Sequence, residues 1–269
     1  MQLVELQAAW PELDRAGIAL FGLSYDAVAT LAPFADKRGI SFPLLADEGS
    51  HTIRMLGLLN EHLAEQHAFY GVALRDEHQG VPYPGIFVLD EHGVVVEKHF
   101  EQSYRVRPTA ALVREYALGA RAEVPPDVAT LEPEGFRIRA WTDLPSYRPY
   151  QQVRLHVRID LAPDAHVLAQ PTPDDYVPLR FDIEPLDGLM VGPAELPAAK
   201  TFKITGLDEE LAVFEGSVEA ILPLLFTRNL GTTRADVRVA YQACTETVCW
   251  PPAEVSLDLV LEGLDLIRD

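Results

Sequence analysis

No cysteine occurs in the first 243 residues; the only two thiols, Cys244 and Cys249, stand together in YQACTETVCWPP (241–252). Two thiols this close exclude the multi-bridge framework of a small secreted disulfide scaffold. No apolar run approaches the roughly 20 residues that a membrane-spanning helix needs. The opening MQLVELQAAWPELDRAG has neither the basic n-region nor the uniform apolar h-region of a signal peptide, so a cytoplasmic location is expected of the chain as printed. Basic residues are scarce as well: 22 Lys and Arg stand against 41 Asp and Glu, for a net charge of −19. That balance argues against nucleic-acid backbones and anionic membrane surfaces as partners. Residues 1–122 carry 10 basic and 16 acidic side chains and the remainder 12 and 25, so both halves are acidic. There is no internal repeat and no low-complexity segment.

The 269 residues, 48% hydrophobic and 23% charged, suffice for one large domain or two ordinary ones. In the first 120 or so, helix and strand patterns alternate. Leu3, Leu6, Trp10 and Leu13 recur at helical spacing. GIALFGLSYD (17–26) reads as a strand buried on both faces. Asp26 is expected to cap the helix AVATLAPFADKRG, which Gly39 ends. FPLLAD reads as a second short buried strand, and SHTIRMLGLL as a helix capped by Ser50. Residues 60–80 read as irregular. PYPGIFVLDEHGVVVEKHF reads as two strands around a tight turn, and RPTAALVREYALGARAE as a closing helix with Pro108 in its first turn. This alternation implies an α/β layer architecture with a largely parallel sheet over residues 1–121.

AEVPPDVATLEPEG (122–135) is rich in proline and acid and is placed as the linker. Beyond it, over 136–269, seven or so short strands alternate apolar and polar residues, among them FRIRAWTDL, QVRLHVRIDL, HVLAQ, LAVFEGSVEAIL and RADVRVAYQAC. Such spacing suggests an antiparallel β-sandwich.

Residues facing each other across an antiparallel pair lie about 4.5–5.5 Å apart at Cα, so a Cys244–Cys249 disulfide is geometrically possible. As a staple it is weak, because closing about six residues removes only about 2 kcal/mol of unfolded-chain entropy. As a metal corner it is poor, since zinc takes about four Cys or His ligands at close spacing. His156 and His166 lie far away in sequence, and His62, His67 and His78 fall in the irregular acidic stretch and read as solvated. No metal and no cofactor is called for. A redox pair, a structural disulfide and inert thiols all stay open on these grounds. Glu246 inside the loop makes the local field negative, which raises a thiol pKa. Tyr241 and Trp250 flank the pair, either as a docking surface or as plain core aromatics.

QLVELQAAWPELDRAGIALFGLSYD, FPLLADEGSHTIRMLGLLN and VPYPGIFVLDEHGVV together resemble the thioredoxin-fold redoxin and peroxiredoxin-like (AhpC/TSA-type) family. The resemblance implies a cis proline at Pro84, ahead of the last of these strands. It also implies a central strand and a cysteine motif just before the first helix. Residues 1–122 hold no cysteine, so antioxidant or peroxidase-like chemistry, with peroxide as substrate, belongs to a version completed by an upstream motif. An upstream start is the favoured reading.

YQACTETVCWPPAEVSL, with HVLAQ, YVPLRF and LAVFEG in order upstream, resembles the immunoglobulin-like N-terminal domain of the thiol:disulfide interchange reductase (disulfide bond corrector) family. The resemblance implies that Cys244 and Cys249 cycle between dithiol and disulfide and exchange electrons with thiol/disulfide partner proteins of thioredoxin type. It implies a cap over the pair from residues 200–210, making Phe202, Asp208 and Glu209 neighbours of the site together with Tyr241, Glu246, Trp250 and Pro251. It also points to the periplasm if the true start lies upstream. The preferred function is thus a thiol–disulfide oxidoreductase or redox relay. The rival is a non-catalytic binding or scaffold protein with a structural disulfide and a degenerate redoxin domain.

Overall fold

In the computed structural model, which describes residues 2–119, 124–126, 128–133, 136–203 and 210–266, the apolar spacing at the start of the chain becomes helix α1 (Gln2–Arg15). Leu6 and Leu13 are its buried residues. Two compact units form, one from Met1–Ala122, Tyr150–Gln152 and Leu266–Asp269, the other from Glu123–Pro149 and Val153–Asp265. Among the described residues, no helix is long and apolar enough to cross a membrane.

The first unit is mixed α/β. After α1 come β1 (Gly22–Ser24), α2 (Val28–Arg38), β2 (Leu44–Ala46), α3 (His51–Met55) and α4 (Leu63–Phe69). These are followed by β3 (Gly85–Leu89), β4 (Val95–Phe100), the two-residue β5 (Arg107–Pro108) and α5 (Ala110–Leu118). A small core joins Leu6, Ile40, Phe42 and Val113, with Leu3, Trp10 and Phe34 against it.

Several local expectations are corrected here. The sheet is not largely parallel: β1 and β2 pair in parallel, while β3 and β4 form a separate antiparallel pair. GIALFGLSYD is not a strand buried on both faces. Only Gly22–Ser24 is extended, and Phe21 and Leu23 are exposed, as follows where β1 has one neighbour instead of two.

Asp26 does not cap α2; its carboxylate accepts a hydrogen bond from Ser24 Oγ at 2.7 Å. Ser50 does stand at the N-cap position of α3, but its hydroxyl makes no cap bond and donates instead to the Gly80 carbonyl at 3.0 Å. The cap comes from Asp47, whose carboxylate accepts from the Thr52 and Ile53 N–H groups at 3.1 and 2.8 Å. Those bonds, the one from Ile53 foremost, hold the Asp47 pKa below its usual value. Pro108 lies in β5 rather than in the first turn of α5, which Thr109 caps by accepting from the Leu112 N–H.

Residues 60–80 are more regular than their composition suggests, holding α4 and a 3-10 turn at Asp76–His78. The helix turns Leu63 and His67, one turn apart, inward. His62 is solvated as expected, but His67 is 3% exposed, with the His78 ring at 4.7 Å and the Tyr104 ring at 5.2 Å. The Tyr83–Pro84 bond is trans; among the described residues a cis bond lies instead at Gln170–Pro171. Tyr83 donates its N–H to the Leu58 carbonyl, and the Pro84 carbonyl accepts from the Glu101 N–H.

The second unit is β-rich. Its strands are β6 (Ala129–Leu131), β7 (Phe136–Thr142), β8 (Ser146–Tyr147), β9 (Gln151–Leu161), β10 (His166–Leu168), β11 (Arg180–Ile183) and β12 (Leu189–Val191). Then follow β13 (Lys200–Lys203), β14 (Glu210–Glu215), β15 (Ser217–Phe226), β16 (Thr233–Tyr241), β17 (Ala243–Cys244) and β18 (Ala253–Gly263). They lie side by side as β12-β15-β9-β7-β6, β11-β16-β18-β8 and β13-β14-β10-β17. β6, inside the stretch read as linker, pairs with β7. LAVFEGSVEAIL, read as a single strand, is two, because Gly216 turns the chain at φ 68°.

Period-two alternation sends one face of these strands into a common core: Val153, Leu155, Val157 and Ile159 from β9 meet Val218, Ala220, Leu222 and Leu224 from β15. Val237 and Val239 from β16 and Leu257, Leu259 and Leu261 from β18 complete it. On the outside, Asp160 accepts hydrogen bonds from Ser217, Arg139 and Arg158.

Burial pushes the Asp160 pKa up, but these bonds outweigh it and leave the value below 3.8. An acid held low in the folded state stabilises the fold above its ordinary pKa and loses that contribution as pH falls through the folded value. The urea midpoint of the wild-type chain should therefore drop more steeply below pH 3.8 than that of Asp160→Asn. Parallel curves would show that the cluster contributes nothing to stability.

Candidate functional site

The cysteine pair sits at the end of a sheet where two faces separate. Tyr241 and Ala243 point into the main core, whereas Cys244 points to the other side. There it joins Leu168, Leu211 and Val213 in a second buried cluster, with Phe202 and Tyr176 packed against it. Cys244 is 1% exposed. The chain then turns: Thr245 N–H donates to the Val248 carbonyl at 2.7 Å, and the Thr245 hydroxyl accepts from the Thr247 and Val248 N–H groups. That hairpin returns Cys249 to Cys244, with Cα atoms 4.0 Å apart and the sulfurs joined as a disulfide.

Trp250 N–H then donates to the Ala243 carbonyl, and Gln242 Nε2 to the Trp250 carbonyl. Unlike Cys244, Cys249 is exposed, as are Val248, Trp250, Pro251 and Glu246. The pair therefore joins a buried residue to an exposed one.

The flanking aromatics take different parts. Tyr241 is a core residue, 6% exposed with its ring edge-to-face on Phe136 at 5.8 Å, and burial raises its hydroxyl pKa. Trp250 is 43% exposed and meets Phe136 at 6.3 Å, leaving an apolar surface beside Cys249. Phe202 comes to the buried side of the pair, on β13. Asp208 and Glu209, also named as neighbours, lie outside the described residues.

One neighbour escaped the sequence reading. His166, set aside there as remote, is the residue directly opposite Cys244 in the β10–β17 ladder. It is 3% exposed, and its ring lies 4.3 Å from that of Phe202. Burial lowers its pKa, while the charge of Glu215, opposite it on β14, pulls the other way. The two-residue period of a strand puts His166 and Leu168 on one face. The pairing with β17, far along the chain, was the missing information.

Comparison with known proteins divides the chain in the same region as its composition. Residues 1–98 match the AhpC/TSA family, and residues 142–261 match the N-terminal domain of the thiol:disulfide interchange protein DsbD. A peroxiredoxin of Coxiella burnetii is 31% identical over 90 residues, which are 32% of this chain and 50% of the relative. The chain thus spans about half the length of the curated relative it matches.

Among solved structures, the N-terminal periplasmic domain of ScsB from Proteus mirabilis aligns with TM-score 0.37 and 15% identity, over 49% of this chain and 51% of that one. The DsbD N-terminal domain of Neisseria meningitidis in its reduced form aligns with TM-score 0.30 and 19% identity, over 40% of this chain and 78% of that one. Together with a cysteine pair at disulfide distance, the two family matches support a thiol–disulfide redox role. One polypeptide thus joins a segment matched by the AhpC/TSA family to a segment matched by the N-terminal domain of the thiol:disulfide interchange protein DsbD.

Proposed function

We propose that this chain is a thiol–disulfide oxidoreductase whose Cys244–Cys249 pair exchanges two electrons with a thioredoxin-type partner protein. The observation that carries the reading is the asymmetry of the pair: Cys244 is sealed in an apolar cluster and Cys249 is open on a hairpin. In the reducing direction, the Cys249 thiolate attacks a partner disulfide and forms a mixed disulfide, releasing one partner sulfur. Cys244 then attacks Cys249 Sγ; the internal disulfide forms, the bond to the partner breaks, and the partner leaves as a dithiol. The reverse sequence reduces the pair at a partner's expense. The exposed face of Trp250 supports docking beside the reactive sulfur.

The first segment contributes no thiol, since residues 1–122 contain no cysteine. Peroxidatic chemistry there requires a cysteine from elsewhere, and the electrons for it would come from the Cys244–Cys249 pair.

The reduction potential tests the proposal. Equilibration of the full chain with glutathione buffers should give a value in the range of about −180 to −270 mV, where exchange proteins of the thioredoxin class operate. A value well below about −300 mV is that of a structural disulfide. It would overturn the exchange reading and leave a binding or scaffold protein with a stapled hairpin.

A further inference from the structure

Three adjacent strands, β14, β10 and β17, place Glu215, His166 and Cys244 in one row: His166 is the register partner of Glu215 on one side and of Cys244 on the other. Neighbouring strands run about 4.8 Å apart, and side chains of directly opposed residues leave the sheet on the same face. A carboxylate, an imidazole and a thiol therefore stand side by side on the face that carries Leu168, Leu211 and Val213. The thiol and the imidazole are both buried, at 1% and 3% exposure, and the Phe202 ring packs on the imidazole at 4.3 Å.

This row meets a specific need. A thiol enclosed by leucine and valine holds its proton tightly, and only the thiolate attacks a disulfide. With Glu246 exposed in the hairpin, the local charge does not help Cys244 to ionise. We propose that His166 is the proton acceptor that ionises Cys244 in the resolving step, a role that rests on the exchange reaction proposed above. With Cys249 joined to a partner sulfur, the Cys244 proton passes to the neutral imidazole. The sulfur's electron pair forms the Cys244–Cys249 bond, and the bond between Cys249 and the partner breaks. The departing partner sulfur keeps that bond's electron pair, and the imidazolium returns the proton to it or to water. The dithiol is oxidised and the partner disulfide reduced by the same two electrons.

Burial lowers the His166 pKa and so favours the unprotonated ring, the form that can accept a proton. The charge of Glu215 favours the imidazolium and so stabilises it once it forms. The other charged and titratable groups on the neighbouring strands are Lys200, ion-paired with Glu215 at 2.9 Å, and the Lys203–Glu210 pair at the far end of β13 and β14. Tyr176 packs against the Cys244 cluster from the preceding loop.

Reduced full-length protein mixed with 5,5′-dithiobis(2-nitrobenzoate) tests the assignment. Attack by Cys249 releases one nitrothiobenzoate, and resolution by Cys244 releases the second. In the wild type, the second release should keep its rate from pH 8 down to the imidazole pKa and decline only below it. In His166→Phe and His166→Gln it should fall about tenfold per pH unit from pH 8 downward, ending roughly 100-fold below wild type in the range typical of lost general-base catalysis. The first release should be unchanged in both variants. A wild-type second phase falling tenfold per unit from pH 8 to 5 without inflection overturns the role of His166, and this result requires no variant to fold. Variants that match the wild-type profile overturn it equally. Absence of the first release would instead defeat the exchange reading itself.

Discussion

Cys244→Ser should accumulate a stable mixed disulfide at Cys249, approaching one partner per chain, when challenged with glutathione disulfide or with a single-cysteine thioredoxin-type partner whose sulfur carries a nitrothiobenzoate leaving group. Cys249→Ser should form almost none. The asymmetry follows from access. Nucleophilic attack requires the incoming sulfur to approach along the S–S axis, and Cys244 is closed off by Leu168, Leu211, Val213 and Phe202. Cys249 lies on the exposed hairpin beside Trp250. With Cys249 attached to a partner and Cys244 replaced, nothing nearby can resolve the adduct. Mass spectrometry of the non-reduced protein reads the outcome directly. Equal adducts at both positions would show that Cys244 becomes exposed in the dithiol state, and the burial asymmetry would no longer assign the roles.

Tyr147→Ala should destabilise the β-rich unit by about 3–5 kcal/mol, the range for truncating a large buried aromatic. Tyr147 is fully buried, and its ring stacks on Phe226 with centroids 3.7 Å apart. Its hydroxyl donates to the Gly231 carbonyl at 3.0 Å and accepts from the Leu230 N–H at 2.9 Å. The site leaves no slack, since a Cβ on Gly263 would stand 2.7 Å from the Tyr147 hydroxyl and from the Gly231 carbonyl. Tyr147→Phe separates packing from bonding. It keeps the ring but strands the Leu230 N–H and leaves the Gly231 carbonyl with the Gly263 N–H alone, at a cost of about 1–3 kcal/mol. Urea unfolding followed by near-ultraviolet circular dichroism measures both. A Tyr147→Phe midpoint equal to wild type would show that the hydroxyl's two bonds do not contribute.

Much of the local architecture was legible. Leu3, Leu6, Trp10 and Leu13 mark α1 because helical periodicity depends only on neighbours three and four residues away. Gly39 ends α2 at φ 62° because a left-handed residue favours glycine wherever it occurs. The hairpin after β3 was readable for the same reason: Asp90 accepts from the His92 and Val94 N–H groups, and Gly93 takes φ 78°. Caps were less legible. Asp26 and Ser50 carry the right chemistry, but each side chain had another partner within reach. His67 was misjudged because the acidic, irregular-looking stretch around it concealed a helix with an inward face.

The cysteine site divides along the same line. By itself the sequence determined that Cys244 and Cys249 can close a short hairpin and that the bond makes a weak staple, since both depend only on the four residues between them. It also marked HVLAQ as a strand, whose two-residue period puts His166 and Leu168 on one face. Only the tertiary structure decided which sulfur is buried, which aromatic is core and which is surface, and that His166 stands opposite Cys244. Those outcomes depend on strand pairing and register between distant segments. Local alternation gives each strand two faces but does not say which strand becomes its neighbour.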